Sequence, residues 1–270
     1  MALTVKTFAG LQEAAQALSG DRSARFLGGG TLLMRAVNEG DQSFSTIVRT
    51  TDRALRRIRS QGDRLEIGAG TTMLDVIESR DLEFLHSAAR AVGGPAIRSM
   101  ATVGGNLFAA SPYGDFTTAL LALDGVVRLV DGGREIALDT FLASRDQGMH
   151  SIVDALVIRR PARGDFRFLK VSRVKPKGLS VIAIAAHLPR SGGRIAGARV
   201  AYGAMASTPV RVLAVEQALE GHGLDESGIA GAVAAATQGV TPPTDPIATE
   251  WYRREVAPVH LKRLLLAPVG

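Results

Sequence analysis

The sequence contains no cysteine among its 270 residues. This absence excludes a disulfide framework, a thiol nucleophile and any cysteine-ligated zinc, haem or iron–sulfur centre within the chain. Aromatic residues contribute only 5%, and no apolar run approaches the roughly 18 residues of a membrane-spanning helix. The N-terminus also lacks the apolar segment of a signal peptide. We expect a folded cytoplasmic protein that can hold a redox centre only without sulfur.

Lysine is also scarce, since only five of the 32 basic residues are lysine and the formal net charge is +6. Arginine makes forked hydrogen bonds to phosphate and carboxylate groups, although an arginine-rich solvated surface explains the same composition. The two basic runs, 53–59 and 170–177, contain no aromatic residue. The five histidines show no metal-ligand spacing. We therefore expect no nucleic-acid partner, no metal site and no catalytic side chain.

Hydrophobic patterns predict an α+β protein with a β-α-β unit at its start. The N-terminal part contains strands at 24–27 and 45–49, with helices at 11–18 and 32–37. The next part contains strands at 64–67, 126–130 and 152–158, with helices at 72–79, 82–92 and 116–123. An irregular stretch, 100–115, lies between the last two helices, and long irregular stretches in compact domains are usually functional.

The C-terminal part has a different pattern, with strands followed by helices. The strands are predicted at 166–172, 180–188 and 195–202, and the helices at 210–220, 229–238 and 251–266. This order is typical of a three-stranded antiparallel sheet backed by a helical layer. With a linker at 159–165, we expect domains 1–162 and 163–270, the first divided into subdomains of about 1–53 and 54–162.

The first candidate site is the glycine-rich turn Phe26-Leu-Gly-Gly-Gly-Thr-Leu-Leu33, between a strand and a helix. Three glycines allow close approach of the backbone to a ligand, and consecutive amide donors form an anion-binding concavity. Thr31 can cap the helix that follows. The spacing fits neither common nucleotide fingerprint, and a plain connecting turn uses the same residues.

The second candidate site is Ala101-Thr-Val-Gly-Gly-Asn-Leu107, which continues to Asp115. Gly104 and Gly105 offer a second backbone cradle, flanked by the Thr102 hydroxyl and the Asn106 amide. Asp115 could bind hydroxyl groups or simply cap a helix beginning at Phe116. Two such loops in one chain favour a cofactor with a diphosphate, a sugar-like chain and a ring system.

The two loops together resemble those of a known flavoprotein family. L-G-G-G-T-L-L and A-T-V-G-G-N-L-F-A-A-S-P-Y-G-D are similar to the FAD loops of the medium subunit of molybdenum hydroxylases, the group of aerobic carbon monoxide dehydrogenase and xanthine dehydrogenase. The resemblance covers nearly the whole chain, including Ile67–Gly70, Leu120–Gly125, Phe168–Arg173 and Tyr202–Arg211. It implies a two-subdomain, vanillyl-alcohol-oxidase/PCMH-like α/β FAD-binding domain followed by the C-terminal α+β domain.

The resemblance also implies the cofactor-binding residues. Gly28 to Thr31 would donate to the FAD diphosphate, Asp115 would bind ribityl or ribose hydroxyls, and Lys170 would approach the isoalloxazine ring. The full set is Leu27, Gly28, Gly29, Gly30, Thr31, Leu32, Leu33, Thr102, Gly104, Gly105, Asn106, Asp115 and Lys170. Three departures from the family pattern are Gly28 for alanine, Leu32 for a polar residue, and a segment 173–180 that is longer and lacks an acid.

The function implied is electron transfer within a larger enzyme. FAD would receive electrons from two iron–sulfur clusters on a small subunit and pass them to an external acceptor, while a large subunit oxidises the substrate at a molybdenum cofactor. A dimer of heterotrimers is the expected assembly. The absence of cysteine agrees with clusters held by a partner. Two alternatives remain, a stand-alone flavin oxidoreductase and a basic nucleotide- or nucleic-acid-binding module.

Overall fold

The N-terminal unit is a small parallel sheet. The computed structural model describes residues 3–145, 151–174 and 178–268. Strands β1 (Thr4–Phe8), β2 (Ala24–Phe26) and β3 (Thr46–Thr50) pair in the order β1-β3-β2, with both pairings parallel. Helix α1 (Leu11–Ser19) buries an apolar face on the sheet, and α2 (Leu33–Asn38) connects β2 to β3. The β-α-β unit predicted from the sequence is therefore confirmed, whereas the mostly exposed β1 was not predicted.

The second unit is a five-stranded antiparallel sheet covered by helices. Its strands pair in the order β4-β5-β8-β6-β7, with bounds β4 (Ile58–Gln61), β5 (Arg64–Gly68), β6 (Val126–Leu129), β7 (Glu135–Ala137) and β8 (Val153–Arg159). Its helices are α3 (Met73–Glu78), α4 (His86–Ala91), α5 (Pro95–Arg98), α6 (Val103–Leu107), α7 (Asp115–Ala122) and α8 (Leu138–Ser144).

Two of the predictions for this unit need correction. The helix predicted at 82–92 is a 3-10 helix, Arg80–Leu85, followed by α4, because Leu82 leaves helical backbone geometry. The stretch predicted as irregular, 100–115, contains the five-residue helix α6. Two adjacent glycines concealed this helix, since glycine is among the weakest helix formers.

The C-terminal unit is an antiparallel sheet with helices on one face. Its strands pair in the order β14-β13-β10-β9, with bounds β9 (Phe166–Ser172), β10 (Ser180–His187), β13 (Arg199–Gly203) and β14 (Val210–Arg211). A hairpin, β11 (Arg190–Ser191) and β12 (Arg194–Ile195), precedes β13. Helices α9 (Leu213–Leu219), α10 (Ala230–Ala234) and α11 (Glu250–Leu265) share an apolar core with the sheet.

The predicted strand-then-helix order is confirmed, with one extra strand. The sheet has four strands rather than three, because residues 210–211 pair with β13 before α9 begins. The run predicted as one strand at 195–202 divides, since Gly197 turns the chain with a φ of +84°.

Helix α7 of the second unit packs against the C-terminal unit. All eight of its residues are buried, and its core cluster includes Ala185 and Ala201 from the C-terminal sheet. A helix with no exposed face must be covered by neighbours on every side. One face of the C-terminal sheet therefore contributes to the core of the second unit, while its other face packs on α9, α10 and α11 in a separate core. Across the described residues, no helix is long and apolar enough to cross a membrane.

Candidate functional site

The first glycine loop (residues 27–32) presents a row of unpaired amides. It is anchored at Leu27, whose amide donates to the Val48 carbonyl at 2.8 Å. Among the described residues, no acceptor receives the backbone N–H groups of residues 28 to 32. Gly30 adopts a φ of +75°, which turns the chain into α2. Because the loop is partly exposed and no group of the described protein competes for these amides, they are available to donate to a ligand rich in acceptor oxygens.

Thr31 does not cap helix α2, so that prediction was wrong. The N-cap position is Leu32, and no side chain accepts a hydrogen bond from the first turn. The chain enters α2 with Leu32 already in right-handed helical geometry, which leaves Thr31 one residue too early. Its hydroxyl stays available to a ligand, as the family resemblance implies.

The amides of the two adjacent glycines in the second glycine loop (residues 100–115) are already used inside the protein. Gly104 donates to the Ala69 carbonyl at 2.8 Å, and Gly105 donates to Oγ1 of Thr102 at 3.1 Å. A Cβ on Gly104 would lie 2.7 Å from the Ala69 methyl carbon. These glycines therefore permit close packing rather than forming a second open row of donors. Their contact with a cofactor remains a prediction.

Asn106 lies in the second glycine loop and is buried against α7. Its Oδ1 accepts hydrogen bonds from the backbone N–H and the hydroxyl of Thr117, both at 2.9 Å. It thus satisfies an amide in the first turn of α7, where helices lack internal partners. Its Nδ2 has no acceptor within the described part of the chain, so this donor is free to meet a ligand. The sequence offered no signal for the link to Thr117.

The two glycine loops are in direct contact. A Cβ added to Gly29 would lie 1.7 Å from the Met100 carbonyl oxygen, and one added to Gly28 would lie 3.0 Å from Thr102 Oγ1. A second link joins Arg35 on α2 to Tyr113, with Nη1 donating to the phenol oxygen at 2.8 Å. The structure therefore brings both predicted loops into one site, and the Arg35–Tyr113 link was not predicted.

Asp115 and Lys170 form an ion pair across the boundary between the second unit and the C-terminal unit. Lys170 Nζ lies 2.7 Å from Asp115 Oδ2 and 2.9 Å from the Ala91 carbonyl oxygen. Ser180 on β10 donates to Asp115 Oδ1 at 2.5 Å. Asp115 is only 6% exposed. The sequence analysis named Asp115 and Lys170 as site residues, but it predicted neither their ion pair nor the contact with Ser180. These partners lie 55 and 65 residues from Asp115 along the chain.

Asp115 is not the N-cap of α7, contrary to one alternative considered above. The N-cap is Gly114, with a φ of +96°, and Asp115 is the first helical residue. A carboxylate in the first turn is favoured by the positive end of the helix, and here Lys170 neutralises it as well. Each of its oxygens keeps a second lone pair, so a cofactor hydroxyl could still donate to it.

Unpaired donors at this site fit an FAD diphosphate. Besides the amides of residues 28 to 32, Ser111 Oγ in the second loop is buried and has no partner in the described structure. A diphosphate offers only acceptor oxygens, which matches a set of donors without acceptors. The segment 173–180, where the sequence departs from the family pattern, includes residues 175–177, which lie outside the described residues.

Family models match both parts of the chain. The model described as the FAD binding domain in molybdopterin dehydrogenase matches residues 4–158. The model described as the CO dehydrogenase flavoprotein C-terminal domain matches residues 167–267.

The sequence of this chain is also similar to the FAD-binding or medium subunits of several known dehydrogenases. Among curated relatives, the glyceraldehyde dehydrogenase medium chain of Sulfolobus acidocaldarius is 26% identical over 260 residues, covering 92% of each chain. The xanthine dehydrogenase FAD-binding subunit of Escherichia coli O157:H7 is 27% identical over 274 residues, covering 96% of this chain and 94% of that protein.

A solved structure gives the same fold. Reconstituted CO dehydrogenase from Oligotropha carboxidovorans contains a chain with a TM-score of 0.88 and 25% identity, covering 98% of this chain and 96% of that one. The family resemblance and the predicted fold class are therefore confirmed. This chain belongs to the family of FAD-binding flavoprotein subunits of molybdenum-containing dehydrogenases.

Proposed function

We propose that this chain is the electron-transfer flavoprotein of a heteromeric molybdenum hydroxylase. Electrons would arrive from iron–sulfur clusters of a small partner subunit and leave for an external acceptor, while a large partner subunit oxidises the substrate at its molybdenum cofactor. The observation that carries the proposal is the row of unpaired amides at residues 28 to 32, next to Thr102. The absence of cysteine supports it, because any iron–sulfur cluster in such an enzyme must then belong to another chain.

The residues of the first glycine loop would bind the FAD diphosphate. Their amides donate without competition from the protein, and Gly29 lets the loop lie directly on Met100. The Thr102 hydroxyl accepts from Gly105 and still has its own hydrogen to donate. Asn106 would add its Nδ2 as a further donor. When bound, FAD supplies the redox chemistry, and the protein supplies binding and orientation.

Asp115 and Lys170 would place the flavin end of the cofactor. Their ion pair joins α7 of the second unit to β9 of the C-terminal unit, so it helps to fix the two units against each other. Asp115 would accept from a ribityl or ribose hydroxyl on its remaining lone pairs. Lys170 would place a positive charge near the isoalloxazine ring, where it favours negative charge that develops on reduction.

Three further parts of the prediction stay proposals. The domain boundary near residues 162–163 is supported by the family models, which end at 158 and resume at 167. A dimer of heterotrimers is our proposed assembly, and relatives named as a medium chain or as an FAD-binding subunit support the coarser proposal of a multi-subunit enzyme. A cytoplasmic location was predicted from the sequence.

The experiment is to purify the chain with its natural partners and to follow their redox state. We expect one FAD per chain and co-eluting subunits that contain iron and molybdenum. After anaerobic reduction, quinone, NAD or oxygen should reoxidise the clusters quickly in the native complex and slowly after FAD is removed. Equal rates with and without FAD would reject the proposal. Flavin without metal-containing partners would indicate a stand-alone oxidoreductase, and salt-sensitive nucleotide binding without flavin would indicate a binding module.

A further inference from the structure

Helix α8 and the residue that follows it contact the second glycine loop at the C-terminal end of the short helix α6. The ring of Phe141 on α8 meets the ring of Phe108 edge to face, with centroids 5.6 Å apart and planes at 80°. Arg145, which follows α8, donates from Nη1 to the Leu107 carbonyl and from Nη2 to the Ala109 carbonyl, the second bond at 3.1 Å. Three consecutive residues of the loop are thus held from one side.

Helix α6 needs this external support. It has only five residues, and two of them are glycines, which are poor helix formers. Helices this short are not stable on their own. Thr102 caps the N-terminal end by accepting from Gly105. At the other end, the last carbonyls of a helix have no internal partners, and the Arg145 guanidinium supplies donors there.

The position of α6 determines the position of the predicted FAD contacts. Asn106 belongs to α6, and its side chain in turn caps α7, at whose start Asp115 lies. Arg145 is only 5% exposed, so its planar fork is held by surrounding protein rather than by water. A change at Arg145 would therefore move donors that are predicted to contact the cofactor, and Arg145 would act on them through two backbone carbonyls of the loop.

We propose that Arg145 is a positioning residue for FAD. Its guanidinium closes the C-terminal end of α6 and so fixes Asn106 and the start of α7 in the geometry that binds the cofactor. This inference rests on the proposed function, since it assumes that FAD occupies the two glycine loops. Nothing in the sequence pointed to Arg145, because the α8 segment carried no predicted element.

The experiment compares Arg145→Met, Arg145→Lys and a matched control in the full chain, assembled with its partners. Methionine keeps an apolar stem without donors, whereas lysine keeps the charge and can reach one carbonyl. The control is Arg167→Met, because Arg167 also donates to two backbone carbonyls, those of Leu264 and Leu265 at the end of α11. The measurements are FAD per chain, the rate of FAD release on dilution, the visible circular dichroism of bound flavin, and the Tm of each deflavinated variant.

We expect Arg145→Met to release FAD at least tenfold faster and to change the flavin dichroism, with Arg145→Lys intermediate. Arg167→Met should lower Tm to a similar extent and leave release within twofold of the parent. The inference is overturned if Arg145→Met releases FAD at the parent rate. It is also overturned if both methionine variants speed release equally at equal loss of Tm, since that result indicates a general stability effect.

Failure of the proposed function gives a different result. If the parent complex holds FAD but its clusters are reoxidised equally fast without FAD, the electron-transfer proposal fails while the role of Arg145 in FAD binding stands. If the parent complex takes up no FAD at all, both proposals fail.

Discussion

Replacing Gly29 by alanine should separate the two glycine loops. The new Cβ would lie 1.7 Å from the Met100 carbonyl oxygen and 2.6 Å from its carbonyl carbon. Heavy atoms in contact settle at roughly 3.5 Å, so the loops must move apart by roughly 1.5 to 2 Å. Both groups are backbone, and no change of rotamer can relieve the clash. We expect a loss of about 1 to 3 kcal/mol in the free energy of unfolding, as in other overpacked sites.

The same movement should weaken FAD binding. A displacement of this size takes a hydrogen bond beyond the distance at which it counts as one. Loss of one bond to a charged phosphate costs about 1.5 to 3 kcal/mol. We therefore expect Kd to rise about 10- to 150-fold. The assay is titration of the deflavinated complex with FAD, followed by flavin fluorescence.

Gly28→Ala is the matched control for Gly29→Ala. Its Cβ would lie 3.0 Å from Thr102 Oγ1, and a small rotation of that side chain can relieve the contact. Alanine also reduces the freedom of the unfolded chain, which contributes about 0.4 to 1 kcal/mol to stability. We expect Gly28→Ala to bind FAD within threefold of the parent. If Gly29→Ala also binds FAD within threefold, the contact between the loops does not set the site.

Three further predictions concern charges. Gly105→Asp should weaken FAD binding more than Gly105→Asn does, because both side chains share a Cβ 2.9 Å from Thr102 Oγ1 and only aspartate adds a negative charge that would face the diphosphate; equal retention of FAD by the two variants in a flavin assay would contradict the loop assignment. Lys170→Met should lower the free energy of unfolding by about 3 to 5 kcal/mol, since it leaves a buried carboxylate unpaired, and adding Asp115→Asn should restore part of it in denaturant titrations. Hydrogen bonds from Arg128 lower the pKa of Glu66 below its usual 4.5, so this contribution to stability is present above that pH and lost as pH falls. The free energy of unfolding of Glu66→Gln should therefore fall less steeply than that of the parent as the pH is lowered. Parallel plots of unfolding free energy against pH for the two proteins would refute the role given to the Glu66–Arg128 pair.

Segments with a strong local pattern could be predicted from the sequence. α1 and α7 were predicted within one or two residues, because their apolar residues recur at helical spacing or fill the whole segment. The glycine loops were also found, since a run of glycines between a strand and a helix is a local feature. The first loop has the open amides that were expected of it.

Features that depend on distant partners could not be predicted. Strand β14 has two residues and exists only because it pairs with β13. Helix α6 contains adjacent glycines and depends on Thr102 and Arg145 at its ends. The Asp115–Lys170 pair joins residues 55 positions apart, and a pattern read along the chain contains no information about such a contact.

The burial of α7 explains why the site involves both ends of the chain. Its eight residues are covered by the second unit on one side and by the C-terminal sheet on the other, with Ala185 and Ala201 in the same core cluster. Asp115 begins this helix and is held by Lys170 and Ser180 of that sheet. An opening of the C-terminal unit would have to expose α7 and break the ion pair at the same time. Because both costs oppose opening, we expect Asp115 to stay bound to Lys170 and Ser180 whether or not FAD is present.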